Sequence, residues 1–322
     1  MLTAMFKSSA TLIEYYINYL SKNDHFSIST VRCYTNDLKK FINFLLTRLT
    51  GDAGRGISDE GNDNMIQELV CGATQKTIPS FIKYLNNLGN STSTIQRTLA
   101  SISTFYNFLI SKGEVETNPI KKAQKPKQKN TRPRGLTDEE LNRLFSVIDT
   151  DKITGARDRA ILETLYTSGI TVSELVFLNR WDVDFLGEVI HVNNNIPSRQ
   201  KRIAPIGTAA ILSIQNYLNI LKIDGMNYDQ ETPLFRNRFG CRIGTRSVTR
   251  LLDKHVNAAG LGPNISPCTL RHSFAYHMLN TGADLKVVQK LLGHKSISTT
   301  RKYVTGKNQS TIEAVGVCNT LW

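Results

Sequence analysis

The segments "TLRHSFAYHML", Thr269–Leu279, and "LLGHKSISTTRKY", Leu291–Tyr303, decide how this sequence is interpreted. The first sets an arginine and two histidines among apolar positions, and the second ends on a tyrosine nine residues after a histidine. Just before the first segment, Cys268 stands where a further base would be expected. Guanidinium, imidazole and phenol groups at such close spacing are typical of a catalytic site. A tyrosine at a helix end is more often a packing residue, so its spacing from His294 is the informative feature.

Length and composition favour an ordered protein of two domains. The chain has 322 residues, of which 40% are hydrophobic, enough for two cores. Its five cysteines are odd in number and widely spread, and they form no metal-binding spacing, so we expect a reduced chain without a cysteine-bound metal. The sequence shows no secretory segment and no apolar run of membrane-spanning length. We therefore expect a cytoplasmic protein with no membrane contact.

The charge points to a polyanionic partner. Lys and Arg number 40 against 27 Asp and Glu, a formal net charge of +13. Such an excess is typical of proteins that bind nucleic acid. A basic protein without such a partner is the alternative, and the position of the charges has to decide between them.

The first part of the chain is predicted to be a helical bundle within residues 1–120. The segment 29–48 places apolar residues on one helical face, as do 77–89 and 92–113, the last of which ends at Gly113. Arg32 and Arg97 lie on the first and third of these helices and are candidates for contacts with DNA phosphates.

A basic segment is predicted to link the two domains, at residues 121–134. Its prolines favour an extended chain, and its charges are all positive. A charge run is often only a solvated surface, but one this pure is better explained by phosphate contacts. Its candidate DNA-binding residues are Lys121, Lys122, Lys125, Lys127, Lys129, Arg132 and Arg134.

The second domain, residues 135–322, is predicted to be α+β. It opens at Thr137 and Glu140, which have the spacing of a capping box ahead of a helix. Most of the remainder has helical periodicity. The exception is "GEVIHVNNNIPSRQKRIAPIG", 187–207, where two β-rich runs flank a polar turn and predict a hairpin. The fold class is thus mostly α, with one small sheet.

With "GITVSEL", 169–175, ahead of the hairpin, the ordered motifs resemble those of the tyrosine recombinases, especially the short Xer-type and integron-type enzymes. The likeness covers nearly the whole chain. It implies a helical core-binding domain and a catalytic domain that together clamp duplex DNA. It also implies attack by a tyrosine on a DNA phosphodiester, a 3′-phosphotyrosyl intermediate, and no metal or nucleotide cofactor.

The resemblance assigns six catalytic positions, of which three are retained. Tyr303 falls at the nucleophile, Arg271 at the second arginine and His294 at the second histidine. The first arginine is replaced by Thr171, which has capping-box spacing with Glu174, and the first histidine is replaced by a cysteine that we expect to be buried. Counting back along the hairpin places the lysine position at Pro197, and counting forward places it at Asn195. The substituted positions are therefore Thr171, Cys268 and Pro197.

Nearby cations are candidate substitutes. Arg199, Lys201 and Arg202 lie next to the hairpin turn, and Arg157, Arg159 and Arg180 flank the threonine segment. Each is also an ordinary candidate for a contact with the DNA backbone. Loss of one transition-state donor slows chemistry about 10²–10³-fold, so a fast unmodified enzyme is not expected.

Two classes of function stay open. One is a site-specific enzyme that cleaves and rejoins DNA with impaired or atypical catalysis. The other is a non-catalytic DNA-binding, architectural or regulatory protein of the same fold, acting alone or with an active partner recombinase. In both, the partner is double-stranded DNA and self-association on DNA is expected. Whether the chain is an enzyme is left open by the three substitutions.

Overall fold

The computed structural model describes residues 9–23, 26–50, 63–121, 123, 126, 134–192, 201–223 and 232–304. The chain divides into two compact units, Met1–Asn130 and Thr131–Trp322, called here the N-terminal and C-terminal units. The expected domain limits, 1–120 and 135–322 with a linker at 121–134, remain a prediction. Five of the basic residues assigned to that linker lie outside the described residues: Lys122, Lys125, Lys127, Lys129 and Arg132.

The described part of the N-terminal unit is helical. The three helices predicted from periodicity are present, and two more accompany them. The helices are α1 (Ser9–Ser21), α2 (Ile28–Thr50), α3 (Asp63–Cys71), α4 (Thr77–Asn87) and α5 (Thr92–Ser111). Ser91 caps α5, since its hydroxyl accepts a hydrogen bond from the Thr94 backbone, and Gly113 follows the helix with a φ of 75°.

The core of the N-terminal unit is rich in aromatic residues. The rings of Phe41 on α2 and Phe81 on α4 meet edge to face with centroids 4.9 Å apart. Tyr106 on α5 is buried, and its hydroxyl donates a 2.8 Å hydrogen bond to the Val70 carbonyl at the end of α3. These contacts join four helices around one apolar core.

The C-terminal unit surrounds a small sheet with helices. The capping box that Thr137 and Glu140 predict at the start of its first helix is present. The described helices are α6 (Asp138–Ser146), α7 (Ile153–Ser168), α8 (Val172–Phe177), α9 (Thr208–Ile223), α10 (Thr245–Ala258), α11 (Pro267–Asn280), α12 (Leu285–Leu292) and α13 (Ile297–Arg301).

The sheet has three antiparallel strands, β1 (Val183–Asp184), β2 (Val189–Val192) and β3 (Arg202–Pro205), in that spatial order. In the hairpin, Val192 at the end of β2 is paired with Arg202 at the start of β3. Alternate residues face inward, as in a sheet with one buried side. The fold class expected from the sequence is confirmed. The hairpin turn itself, with Pro197 and Arg199, lies outside the described residues.

In the described ranges, no helix has both the length and the apolar character needed to cross a membrane.

Candidate active site

Arg271 is fixed in a buried position on α11, which begins after Ser266 with Pro267 in its first turn. The guanidinium of Arg271 donates hydrogen bonds to the Gly169 carbonyl and to the Leu292 carbonyl. Burial lowers its pKa, but an arginine remains protonated in proteins. The segments around residues 169, 271 and 292, which are distant in sequence, therefore meet at one cation.

Gly169 allows the end of α7 to pack closely against α11. It ends α7 in the left-handed conformation with a φ of 61°, and a Cβ there would lie 2.4 Å from the Phe274 ring on α11. Two residues later, Thr171 caps α8, and its backbone N–H donates to the Glu174 carboxylate at 2.7 Å. Thr171 thus begins a helix, as its spacing predicts, at the position where the resemblance places an arginine.

Arg202 binds the same Glu174 carboxylate that Thr171 contacts. Its guanidinium forms a two-pronged ion pair with Glu174, with Nη2 to Oε2 at 3.0 Å, and its Nε donates to the Leu291 carbonyl at 3.0 Å. Burial alone would raise the pKa of Glu174, but the hydrogen bonds and charge of Arg202 outweigh it, and the pKa is lowered to about 2. Arg202 and Arg271 therefore contact successive carbonyls at the end of α12, where the helix dipole favours cations.

Gly293 makes room for Arg202. It ends α12 with a φ of 68°, and a Cβ at this position would lie 3.2 Å from Arg202 Nε. His294 follows, and its Nδ1 shares a 2.9 Å hydrogen bond with the Thr300 hydroxyl on α13. Burial lowers the pKa of His294 to about 4, helped by the charges of Arg271 and Arg202. His294 is consequently a neutral imidazole at pH 7.

Tyr303 follows α13 and is buried, with 6% of its surface exposed. Its ring stacks on that of His294 with centroids 6.4 Å apart and planes 14° from parallel. The Tyr303 hydroxyl shares a 2.7 Å hydrogen bond with Nδ1 of His272. His272 has no role assigned from the sequence, although it stands beside Arg271 in "TLRHS".

A cavity of about 1070 Å³ brings the cations together. Among its described lining residues are Thr171 and His294, one carboxylate, Glu174, and six basic side chains: Lys201, Arg202, Arg271, Lys286, Lys290 and Lys295. Tyr303 is not one of them, but its ring lies against His294, which is. A concave surface with this excess of cations suits a phosphate group.

The other predicted site residues are distributed as follows. Cys268 was expected to be buried, and this is wrong: it is exposed, because in the first turn of α11 the buried positions are taken by its neighbours Pro267 and Leu270. Arg157 pairs with Asp158, and Arg159 pairs with Glu163. Neither is among the residues that line the cavity. Arg180 lies over the Phe185 ring instead. Of the candidate substitutes, Lys201 and Arg202 line the cavity, whereas Arg199 lies outside the described residues.

The predicted DNA-binding residues that the structure describes have different surroundings. Arg32 on α2 and Lys121 are exposed, and Arg134 pairs with Glu140 at 2.6 Å while staying exposed. Arg97 on α5 forms a two-pronged ion pair with buried Asp37 on α2, which also accepts a hydrogen bond from Thr98. Contacts of these residues with DNA remain predictions, and Arg97 has a structural role besides.

The Arg97→Ala variant is expected to unfold more easily. It leaves Oδ2 of the Asp37 carboxylate, of which 2% is exposed, without its guanidinium donor, while Oδ1 keeps the hydrogen bond from Thr98. An unsatisfied buried acceptor costs about 1–3 kcal/mol of unfolding free energy. Urea denaturation measures the difference, and Arg32→Ala, at an exposed position on α2, is the matched control. Equal stability of the two variants would contradict the structural role of Arg97.

Comparison with known proteins identifies the family. Residues 134–310 match the phage integrase family. The protein named tyrosine recombinase XerC of Thermodesulfovibrio yellowstonii is 36% identical over 291 residues, which cover 89% of this chain and 89% of that protein. The chain belongs to the phage integrase family of tyrosine recombinases. This recombinase therefore carries the motifs from Thr269 to Tyr303 by descent, and the resemblance drawn from them is confirmed.

Solved structures match the fold of this recombinase. XerH site-specific recombinase, in a post-cleavage complex with a palindromic difH substrate, has a TM-score of 0.69 at 19% identity and covers 92% of this chain and 83% of that chain. A lambda integrase dimer bound to a COC' core site has a TM-score of 0.67 at 18% identity, with 94% and 97% covered. At such identities the likeness concerns the fold. The roles of individual residues in this recombinase remain predictions.

Within the described part of this recombinase, no group of three or more His, Cys, Asp or Glu side chains is arranged to hold a metal ion.

Proposed function

We propose that this chain cleaves and rejoins duplex DNA at specific sites through a 3′-phosphotyrosyl intermediate on Tyr303, with Arg202 replacing the arginine missing at position 171. The observation that carries this proposal is the placement of two guanidinium groups against one cavity. Arg271 and Arg202 contact the successive carbonyls of Leu292 and Leu291 and line the same space as His294.

The chemistry requires such a pair. A phosphoryl centre under attack gathers negative charge on its nonbridging oxygens, and donors fixed in advance stabilise it most. Contacts with described residues take up three of the five N–H groups of Arg202, and its side chain remains 12% exposed. Arg202 thus keeps donors for a phosphate oxygen while Glu174 holds it in place.

Lys201 is proposed to supply the proton for the leaving oxygen. It precedes Arg202 at the end of the hairpin, lines the cavity and is exposed. In this position it takes the role that the resemblance gives to a hairpin lysine, from a site closer to β3. His294, neutral at pH 7, is proposed to hydrogen-bond the phosphate rather than add charge.

DNA is proposed to be bound by more than one copy of this chain. The matched lambda integrase is a dimer on its core site, and the matched XerH is bound to a palindromic substrate. A palindrome offers two equivalent half-sites, which suits a symmetric pair of subunits. The net charge of +13 supports backbone binding that weakens as salt rises.

A second candidate is a DNA-binding protein of this fold that does not cleave, alone or beside an active partner recombinase. The position of Tyr303 favours this second candidate, because Tyr303 is not among the described residues that line the cavity. The three substituted positions favour it as well. Retention of Tyr303, Arg271 and His294 together favours cleavage.

The two candidates are separated by trapping the covalent intermediate. Nicked duplexes drawn from the DNA flanking the gene of this protein lose a short fragment on cleavage, so the phosphotyrosyl adduct accumulates and is seen on a denaturing gel. An adduct that Tyr303→Phe abolishes supports the proposal. Specific DNA binding without an adduct favours the non-cleaving protein, the more so if Thr171→Arg combined with Cys268→His does not restore one.

A further inference from the structure

The phenol of Tyr303 has an imidazole partner that the six family positions do not include. Its Oη lies 2.7 Å from Nδ1 of His272, and the two ring centroids are 5.3 Å apart. His294, the retained histidine, directs its own Nδ1 to the Thr300 hydroxyl instead. Of the two histidines that touch the Tyr303 ring, His272 is the one in contact with the reacting oxygen.

The position of His272 on its helix relates it to the substituted position 268. Cys268 and His272 are four residues apart on α11, so they share one face of the helix about one turn from each other. Arg271, which lies between them in the sequence, donates hydrogen bonds to the Gly169 and Leu292 carbonyls. The face of α11 that carries Cys268, where the family resemblance places a histidine, therefore carries a histidine one turn later, at His272.

We propose that His272 is the general base that accepts the phenolic proton when Tyr303 attacks the DNA phosphodiester. This inference rests on the proposed function. In the step, a bond forms between Tyr303 Oη and phosphorus, and the bond from phosphorus to the 5′ oxygen breaks with its electron pair on that oxygen. The phenolic proton moves to His272 Nδ1, and the ammonium of Lys201 protonates the 5′ oxygen. Rejoining reverses each transfer.

The surroundings keep His272 able to accept a proton. Burial lowers its pKa, and the charge of Arg271 lowers it further, so the imidazole is neutral at pH 7. Burial raises the pKa of Tyr303, although Arg271 opposes this, so the phenol needs a base at that pH. The titratable and charged groups around His272 come from three places. Arg271 and Cys268 lie on α11, and His294 and Tyr303 lie before and after α13. Arg134 and Glu140 line a neighbouring cavity together with His272.

The His272→Asn variant separates a base from a residue that only positions Tyr303. The asparagine side chain keeps a hydrogen-bonding group near the place of Nδ1 but takes up no proton at neutral pH. Single-turnover cleavage of the nicked duplex is expected to be about 10²–10⁴-fold slower than in the wild-type protein. His277→Asn is the matched control, because His277 lies on the same helix and hydrogen-bonds Tyr166 at 2.9 Å, and it should cleave normally.

Two readouts go beyond the rate. The first is the pH profile: wild-type cleavage should decline as the pH falls below the usual pKa range of histidine, because His272 must be neutral to accept a proton. The His272→Asn variant should lack this decline. It should keep the separate decline near pH 4, where His294 becomes protonated.

The second readout uses a duplex with sulfur in place of the bridging 5′ oxygen, which has a leaving group that needs no acid. It should restore cleavage by Lys201→Ala and leave His272→Asn slow.

The outcomes are distinguishable. Cleavage by His272→Asn at the wild-type rate, or a slow rate with the wild-type pH profile, would overturn the base role and leave the proposed function standing. Absence of an adduct from the wild-type protein would remove the proposed function and this inference with it. Mobility shift on the same duplex and thermal melting confirm that each variant binds DNA and is folded.

Discussion

Arg202→Ala is expected to slow strand cleavage about 10²–10³-fold, or about 2.7–4 kcal/mol of activation free energy, the usual effect of removing one transition-state donor. The expectation follows from the shared wall of the cavity, where Arg202 and Arg271 are held by neighbouring carbonyls of α12. The measurement is the single-turnover rate of adduct formation on a nicked duplex. Arg202→Lys, which keeps the charge without the planar fork, should be intermediate.

Controls for this variant have to separate lost chemistry from lost structure. Arg159→Ala removes an arginine that pairs with buried Glu163 at 2.7 Å but does not line the cavity, and it should cleave at the wild-type rate. Arg202→Ala combined with Glu174→Gln removes the carboxylate that would otherwise be left unpaired. If this double variant cleaves normally, the guanidinium itself is not needed and the proposed replacement is wrong.

A rescue experiment tests the replacement directly. Adding Thr171→Arg to Arg202→Ala returns a guanidinium to the family position, beside the same Glu174 carboxylate. Part of the lost cleavage rate should return. The variant should also lose about 0.5–2 kcal/mol of stability, because Thr171 no longer caps α8. No rescue in a variant that is still folded at the assay temperature would indicate that a cation at 171 cannot serve this cavity.

The fold was largely accessible from the sequence because its signals are local. Apolar periodicity fixed α2, α4 and α5, and the capping-box spacings at Thr137 and Thr171 fixed the starts of α6 and α8. The change from helical to alternating pattern gave the hairpin of β2 and β3. Each of these signals depends on residues that lie only a few positions apart in the sequence, so it can be recognised without knowing the fold.

The site was less accessible because its contacts join residues that are distant in sequence. Arg202 was one of three equivalent candidates near the hairpin, and only the fold shows that it meets Glu174, 28 positions earlier. The expected burial of Cys268 was wrong, since the preference of a residue type does not say which face of a helix is exposed to solvent. His272 had a usable signal, its spacing of four from Cys268, but its partner Tyr303 lies 31 positions away.

Glu174→Gln is expected to lower the free energy of unfolding by about 3 kcal/mol at pH 7. The pKa of Glu174 is about 2 in the folded protein against an ordinary value of 4.5, a gap that corresponds to about 3 kcal/mol. Because the folded pKa is the lower one, this stabilisation is present above pH 4.5 and is lost as the pH falls from 4.5 to 2. The difference between wild type and Glu174→Gln should therefore shrink over that range, as measured by urea denaturation at a series of pH values.

Glu163→Gln gives the matched contrast for this prediction. Glu163 is also buried beside an arginine, yet burial raises its pKa despite the charge of Arg159. Its ionised form is thus disfavoured in the folded protein, and Glu163→Gln should lose no stability at pH 7 through proton linkage. The two glutamates differ because Arg202 donates to both carboxylate oxygens of Glu174 and the Thr171 backbone adds a third donor. Arg159, by contrast, contacts one oxygen of Glu163. Equal losses in the two variants would show that Arg202 does not hold Glu174 ionised, and the cavity wall would need another explanation.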